Sequence, residues 1–254
     1  MKPADLRPLV SLIPSVATVL GFVIALQLLL PPLRVPSYIV PLPSSVLSLL
    51  LSSRIPWETH ALVTLYEATF GFGLAVAFGT ALAILITLSG LARKIVEPLL
   101  VAAQVMPKLA FVPVLFLWLG FNAVPRVLTV FLVCLFPIVI DTSAGLARAD
   151  VDLLDLVKPF TSSRLTFLEK VQFPMALPSF FSGLKVSVTL AMLGAIVAEF
   201  IASSQGLGYL IISAETQLNT TLAFASATLL VLMGFLLYGM VLALERLAIP
   251  WARS

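Results

Sequence analysis

Long apolar stretches separated by short polar segments set the pattern of the chain. Residues 8–33, 68–92 and 216–244 contain no Asp, Glu, Lys or Arg. Because a helix crosses a bilayer with about 20 apolar residues, the pattern predicts membrane spans. Six are expected, at about 9–30, 61–88, 98–119, 127–146, 177–202 and 222–247. The predicted fold class is therefore all-α, a polytopic membrane protein with about six transmembrane helices, forming a single transmembrane domain over residues 1–254.

The third predicted span contains two helix-breaking prolines. Pro107 is followed directly by Lys108, and Pro113 comes five residues later. Proline has no backbone N–H and leaves a carbonyl without its helical partner, so we expect the helix to break near its middle. Broken helices at bilayer depth are tolerated where they line a cavity.

Two of the predicted outer connections contain short helices. In the first, Ser44 and Ser45 are expected to cap a helix at residues 46–52. In the second, Gly206 and Gly208 precede a helix expected at residues 209–218.

Composition excludes several classes of function. The chain is 60% hydrophobic and 11% charged, whereas a soluble domain carries about 25% charged residues. The net charge of +3 gives no reason to expect nucleic-acid binding. No phosphate-binding loop of the G-x-x-x-x-G-K-[ST] type occurs, so we expect no ATP hydrolysis by this chain. We also predict no catalytic residue and no metal site, and the single Cys134 cannot form a disulfide within the chain.

Lysine and arginine are distributed unevenly between the two predicted sides of the membrane. With the N-terminus in the cytoplasm, the inner segments hold ten: Lys2, Arg7, Arg93, Lys94, Arg148, Lys158, Arg164, Lys170, Arg246 and Arg253. The outer segments hold three: Arg34, Arg54 and Arg126. Since cytoplasmic loops are enriched in these residues, both termini and the loop at about residues 148–176 are predicted to be cytoplasmic.

Ionisable residues inside predicted spans are candidates for a translocation pathway. Each costs about 3 kcal/mol or more at the bilayer centre, so such residues are usually functional. We assign Pro107, Lys108, Asp141 and Glu199 to the pathway on this ground.

The sequence does not decide which of these groups form ion pairs with one another. Asp141 or Glu199 could pair with any one of three cations, Lys108, Lys185 and Arg126. Glu67, near the end of its span, is expected to lie at the membrane interface, as is His60.

The segment at residues 149–184 is too polar to lie in lipid. Leu153, Leu154, Leu156 and Val157 form an apolar stripe at helical spacing, and a second short helix is expected to restart at about Ser163. An exposed apolar stripe of this kind needs a partner surface that buries it.

The same loop resembles a motif of the inner-membrane permease subunits of ABC importers, E-A-A, three residues, G, nine residues, I-x-L-P. Here it reads Asp155-Leu156-Val157, then Thr161, then residues 171–174, ending in Pro174. Asp155 replaces the usual Glu, and Thr161 replaces the usual Gly. Residues 41–50, 106–121 and 197–211 add to the resemblance, which is to the nitrate, taurine and alkanesulfonate branch of that family.

The resemblance implies a type I ABC importer permease in a bacterial inner membrane, with no cofactor of its own. It implies a homodimer, an external or periplasmic substrate-binding protein, and separate cytoplasmic ATPase subunits that bind ATP and Mg. The solute would be small, such as nitrate, taurine or another sulfonate, although a neutral heterocycle stays open. The residues expected to couple to the ATPase are Leu153, Leu154, Asp155, Leu156, Val157, Lys158, Thr161, Ser163, Arg164 and Pro174.

The alternative is a proton-coupled secondary carrier or a polytopic membrane enzyme that uses Lys108, Asp141 and Glu199. A carrier usually contains repeated halves, which are not evident here, and an enzyme would be expected to cluster a nucleophile with a base. The importer permease, not itself an enzyme, is the preferred interpretation.

Overall fold

The computed structural model describes residues 7–148 and 164–252, and within these ranges the chain is helical with no strand. The helices are α1 Arg7–Leu29, α2 Pro43–Leu50, α3 Trp57–Leu88, α4 Gly90–Val105, α5 Val112–Leu119, α6 Ala123–Ala147, α7 Arg164–Phe167, α8 Phe173–Ala202, α9 Leu207–Thr216 and α10 Thr220–Ala248. Short 3₁₀ turns cover Lys108–Phe111 and Pro250–Ala252, and a π-helical turn covers Leu168–Gln172. The all-α prediction is confirmed.

Four helices of the described chain are long and apolar enough to cross a membrane. They are Trp57–Leu88, Ala123–Ala147, Leu168–Ala202 and Thr220–Ala248, and each coincides with a predicted span. The third predicted span is a pair of helical segments, Gly90–Val105 and Lys108–Leu119, bent by 84°. At the first predicted span, the described part contains a shorter apolar helix, Ala17–Leu29.

The chain divides into two compact units, of which the smaller contains the described residues of Met1–Trp57 together with Leu210–Thr228. In this unit the Gln27 side-chain carbonyl accepts the Ser44 N–H at 3.0 Å. The helix α2 begins with Pro43, its N-cap is Leu42, and no side chain caps it. The predicted capping by the serines is therefore wrong, because Pro43 starts the helix earlier.

The smaller unit also contains a polar cavity of about 450 Å³. Its lining includes three serines of the α2 region, and the full set is Ser45, Ser48, Leu49, Ser52, Arg54, Asn219 and Thr221.

The larger unit, Glu58–Tyr209 with Leu229–Ser254, is held together by close contacts of α6 with α3 and α8. A Cβ atom added to Gly71 of α3 would lie 2.6 Å from the Cβ of Val130, and one added to Gly194 of α8 would lie 2.9 Å from Val133. Helix association in lipid relies on such small residues because they let backbones approach closely. The glycines therefore bring both α3 and α8 into close contact with the same stretch of α6, around Val130.

The short helix α5 is anchored to α8 by an apolar cluster. Val112 and Phe116 of α5 pack with Ala198 of α8, and each of the three is at most 2% exposed. Leu109 in the preceding turn packs against the same cluster. This anchor fixes the position of the residues that connect α4 to α5.

The helical segment that leads into the fifth span is continuous. It begins at Arg164 and passes through the π-helical turn Leu168–Gln172 into α8, whereas the sequence suggested a separate short helix there. Pro174 cannot donate to the carbonyl four residues earlier, and a π turn directly before it accommodates this missing hydrogen bond.

Candidate functional site

The break between α4 and α5 is the first polar feature within the spans. The Ser89 hydroxyl accepts the Ala92 N–H and so caps the start of α4, which ends at Val105. Met106 is extended, Pro107 has φ −72° and ψ 84°, and a 3₁₀ turn begins at Lys108. The predicted interruption of the third span at Pro107 is thus confirmed in position.

Lys108 lies in this break and is partly buried. Its Nζ donates to the Gln104 carbonyl at 3.3 Å, in the last turn of α4. The same Nζ lies 4.7 Å from the centroid of the Phe136 ring, a cation–π distance. Among the residues that the structure describes, no carboxylate forms an ion pair with Lys108.

A cavity of about 310 Å³ lies beside the Lys108 side chain. It is formed by the break, by α6 and by α8, and its lining is Pro107, Lys108, Leu109, Val133, Leu190 and Leu193. Lys108 is the charged member of a lining that is otherwise apolar. Two of the four predicted pathway residues, Pro107 and Lys108, therefore share one cavity, and neither Asp141 nor Glu199 lines it.

A second polar feature, which we call the carboxylate cluster, comprises His60, Thr64, Glu67, Arg126 and Glu199. The first three lie on one face of α3 because they are spaced by four and three residues. The structure buries them, with Thr64 completely inaccessible and Glu67 1% exposed. Glu199, near the end of α8, is also 1% exposed.

Within the carboxylate cluster, Glu67 and Arg126 form an ion pair between α3 and α6. The Arg126 Nε donates to Oε1 of Glu67, and its Nη1 donates to the Ala202 carbonyl at 3.3 Å. Glu67 is thus buried between helices, and its expected place at the membrane interface stays a prediction. The sequence could not reveal this burial, because the partner is 59 residues away along the chain.

The Glu199 carboxylate accepts hydrogen bonds from two directions. The Thr64 hydroxyl donates to Oε1 at 2.6 Å, and the Gly208 N–H donates to Oε2 at 2.6 Å. Gly208 lies in the first turn of α9, so the Glu199 carboxyl group lies at the positive end of that helix. Glu199 therefore joins α3, α8 and the start of α9.

The same helix start uses acceptors from α3. The Leu207 N–H donates to the Thr64 hydroxyl oxygen at 2.9 Å, and the Gly206 N–H donates to Nδ1 of His60 at 3.0 Å. The first N–H groups of a helix have no partner within the helix. Here side chains of α3 and α8 supply those partners, so His60 is a buried hydrogen-bond acceptor; its expected place at the membrane interface stays a prediction.

Two glycines allow this close approach. Gly206 has φ +115°, where a Cβ is strained, and an added Cβ would overlap the Glu199 carboxylate. A Cβ on Gly208 would lie 2.7 Å from Oε2 of Glu199. The sequence indicated these glycines only as a loop before a helix. In the sequence, the cap could have been inferred only from these two glycines, which follow Glu199 at the end of its span by seven and nine residues.

The remaining intramembrane charges have separate locations. Asp141 is partly buried beside Gly183, where an added Cβ would lie 3.1 Å from the Asp141 Cβ. Lys185 pairs with Glu245 of α10, with Nζ 2.9 and 3.1 Å from the two carboxylate oxygens. This partner was not among those that the sequence suggested. The assignments of Asp141 and Glu199 to a pathway stay predictions.

Most of the predicted ATPase-coupling residues lie outside the described residues. These are Leu153, Leu154, Asp155, Leu156, Val157, Lys158, Thr161 and Ser163. Arg164 is the first residue of α7, and Pro174 lies in the first turn of α8. The coupling role of the loop therefore stays a prediction. Within the described part of the chain, no group of three or more His, Cys, Asp or Glu could hold a metal ion.

Comparison with known proteins gives a consistent result. Residues 75–249 match the family described as "Binding-protein-dependent transport system inner membrane component". The chain is 37% identical over 204 residues to a probable ABC transporter permease protein of Haemophilus influenzae, covering 80% of this chain and 83% of the relative. It is 30% identical to the formylaminopyrimidine transport permease protein ThiX of Halalkalibacterium halodurans, covering 85% of this chain and 87% of the relative.

A further relative is the putative aliphatic sulfonates transport permease protein SsuC of Bacillus subtilis, 32% identical over 77% of this chain and 71% of the relative. Among solved structures, the fold is similar to a chain of the MetNI methionine ABC transporter in an inward-facing conformation, with a TM-score of 0.67 and 15% identity. That match covers 78% of this chain and 99% of the other. At this identity it supports the fold alone.

Proposed function

Given that the chain belongs to the family of binding-protein-dependent transport system inner membrane components and is an ABC transporter permease subunit, we propose that it imports a small solute. An external binding protein delivers the solute, and separate cytoplasmic ATPase subunits drive the transport. The observation that carries this proposal is the family match over residues 75–249, which runs from the middle of α3 to the end of α10.

Two copies of the chain form the pathway in this proposal. The predicted topology supports binding of the ATPase to the loop at about 148–176. That loop and both termini are expected in the cytoplasm, where the ATPase binds ATP and Mg. The apolar stripe Leu153–Val157 would lie in a groove of the ATPase, as short amphipathic helices commonly bind. Movement of that helix on ATP binding would then be transmitted to the spans through the loop.

We propose a small anion, such as nitrate, taurine or another sulfonate, as the solute. One relative is named for aliphatic sulfonates and another for a formylaminopyrimidine, so the relatives by themselves leave the solute class undecided. The cavity beside Lys108 favours the anion, because its charged lining residue is a cation.

The proposal is tested by purifying the tagged chain together with an ATPase subunit from the same bacterium and reconstituting both in vesicles. We expect a stable complex whose ATP hydrolysis rises when the binding protein and solute are added. A Leu156→Glu variant should lose the complex, since a buried leucine contributes roughly 1.5–3 kcal/mol. Asp155→Ala is the milder control and should keep it. Solute uptake without any ATPase subunit, abolished by a protonophore, would instead identify the secondary carrier.

A further inference from the structure

We propose that Lys108 is the residue that selects the charge of the solute, with its ammonium group acting as the counter-charge for an anion in the cavity at the α4–α5 break. This inference rests on the proposed function, because it assigns a role within the solute pathway. It follows from four features of the residue: its depth, the lack of a described acidic partner, the contacts that hold it, and the shape of its cavity.

The depth of Lys108 is given by its neighbours. Phe136, under the ammonium group, lies near the middle of α6, Ala123–Ala147. Leu190, across the cavity, lies well inside the span Leu168–Ala202. A charged side chain at such a depth is costly and is retained where it pairs or where it serves a pathway.

Pairing does not account for Lys108 within the described residues. Arg126 is paired with Glu67, and Lys185 is paired with Glu245, so two other cations in the same unit each face a carboxylate. No described carboxylate pairs with Lys108. Its positive charge is therefore left available to a ligand.

The contacts that Lys108 does make hold the ammonium group without neutralising it. The Gln104 carbonyl accepts one of its three donors, and the Phe136 ring offers its negative face. These contacts also suggest a different role, in which the lysine merely caps the C-terminal end of α4. The two roles are separable, since a cap needs a donor whereas an anion needs a charge.

The cavity itself suits a small solute with one charged end. Its volume is about 310 Å³, and its lining besides Lys108 is Pro107, Leu109, Val133, Leu190 and Leu193. An anion would gain from the ammonium group in these apolar surroundings, whereas a neutral solute would gain little from it. The irregular backbone of the break is the arrangement expected where a chain lines a cavity within the membrane.

The test uses a cysteine reporter in the cavity, in the full-length chain purified with its ATPase. Leu190→Cys is introduced in a Cys134→Ser background, which keeps a donor for the Ser187 carbonyl. The probes are two methanethiosulfonates, one carrying a sulfonate and one carrying a trimethylammonium group. The quantity measured is the ratio of their reaction rates, anion over cation, with and without nucleotide.

Lys108→Gln is the decisive variant because it keeps a donor for the Gln104 carbonyl and removes the charge. We expect the rate ratio to fall by about tenfold. The variant loses the attraction of the ammonium group for the anionic probe and its repulsion of the cationic probe, each acting over about 5 Å between the two charges in a hydrated cavity. Lys108→Arg should keep the ratio within about twofold. A Ser48→Cys reporter in the polar cavity of the smaller unit should show no change.

An unchanged ratio in Lys108→Gln would overturn the proposal and leave Lys108 as a helix cap. A Leu190→Cys reporter that reacts with neither probe in any nucleotide state would also overturn it, since the cavity would then be closed to solutes. Retention of the ATPase by each variant is measured in the same preparation. That readout reports on the proposed function and is independent of the rate ratio.

Discussion

The carboxylate cluster and the α4–α5 break both place charge inside a membrane protein, and they treat it differently. In the cluster, Glu67 faces Arg126, and Glu199 accepts hydrogen bonds from a hydroxyl and a backbone N–H. At the break, Lys108 has a carbonyl and a ring but no described carboxylate. A buried charge whose hydrogen-bond and ionic partners lie within the protein serves the structure, whereas a buried charge without a counter-charge is a candidate for solute binding.

The physical reason is the cost of burial. A buried polar group without a partner is destabilising, and a buried charge more so. The cluster recovers this cost by joining α3, α6, α8 and the start of α9, so its charges contribute to the fold. Within the described chain, the contacts of Lys108 offset little of the cost of burying its charge. A bound anion would supply the counter-charge that Lys108 lacks there.

The largest expected effect comes from breaking the ion pair of the carboxylate cluster. Arg126→Met leaves the 1%-exposed Glu67 without its counter-charge and should lower the free energy of unfolding by about 3–5 kcal/mol. Thermal unfolding in detergent measures the loss. The double variant Arg126→Met with Glu67→Leu should recover most of it, because it replaces the pair by apolar groups. A double variant as unstable as the single one would contradict this assignment.

The next effect concerns the cap of α9. Glu199→Gln replaces one of the two carboxylate oxygens by an NH2 group, so either the Thr64 hydroxyl or the Gly208 N–H loses its acceptor. We expect a loss of about 1–3 kcal/mol. Glu215→Gln is the matched control, since the same change is made at an exposed position of α9, the helix that Glu199 of α8 caps, and it should alter stability little. Equal effects of the two changes would show that the cap contributes nothing.

The glycines of the cap give a similar but separate test. Gly206→Ala should lower stability by about 1–3 kcal/mol, because φ is +115° and the new methyl group meets the Glu199 carboxylate. Gly73→Ala, on α3 with open space around it, should instead raise stability by about 0.5–1 kcal/mol. The sign of the difference, read from unfolding midpoints, decides whether the close approach is real.

The smallest effect on stability is expected at the break. Lys108→Gln keeps the donor to the Gln104 carbonyl and removes a charge that has no described counter-charge, so it should lower the free energy of unfolding by no more than about 0.5 kcal/mol. Its consequence should be in solute transport. A stability loss comparable to that of Glu199→Gln would make Lys108 a structural residue and remove the contrast between the two regions.

Much of the fold was predictable because spans are local in sequence. Their apolar length determines where helices lie, and Pro107 marks the break without any three-dimensional information. The start of α2 was missed because Pro43 at the first helical position outweighs the serines behind it. The continuous helix from Arg164 into α8 was missed because a π turn compensates for Pro174.

The candidate site was predictable only in part. Lys108 stands out in the sequence as a charge beside a proline, and the structure places both residues at one cavity. The carboxylate cluster did not stand out, because Thr64 and Glu199 meet across 135 residues and neither residue type requires the other. Pairings of this kind depend on how α3 and α8 pack against α6, which no local pattern contains.

The contrast between the two regions is tested most directly by measuring charge selectivity in both. The rate ratio of the anionic and cationic probes at Leu190→Cys is compared for Lys108→Gln and for Glu199→Gln, each replacing an ionisable side chain by glutamine. We predict a fall of about tenfold for Lys108→Gln and no change for Glu199→Gln, whose carboxyl group is hydrogen-bonded within the protein. Equal shifts in the two variants, or none in Lys108→Gln, would contradict the assignment of Lys108 to the solute pathway.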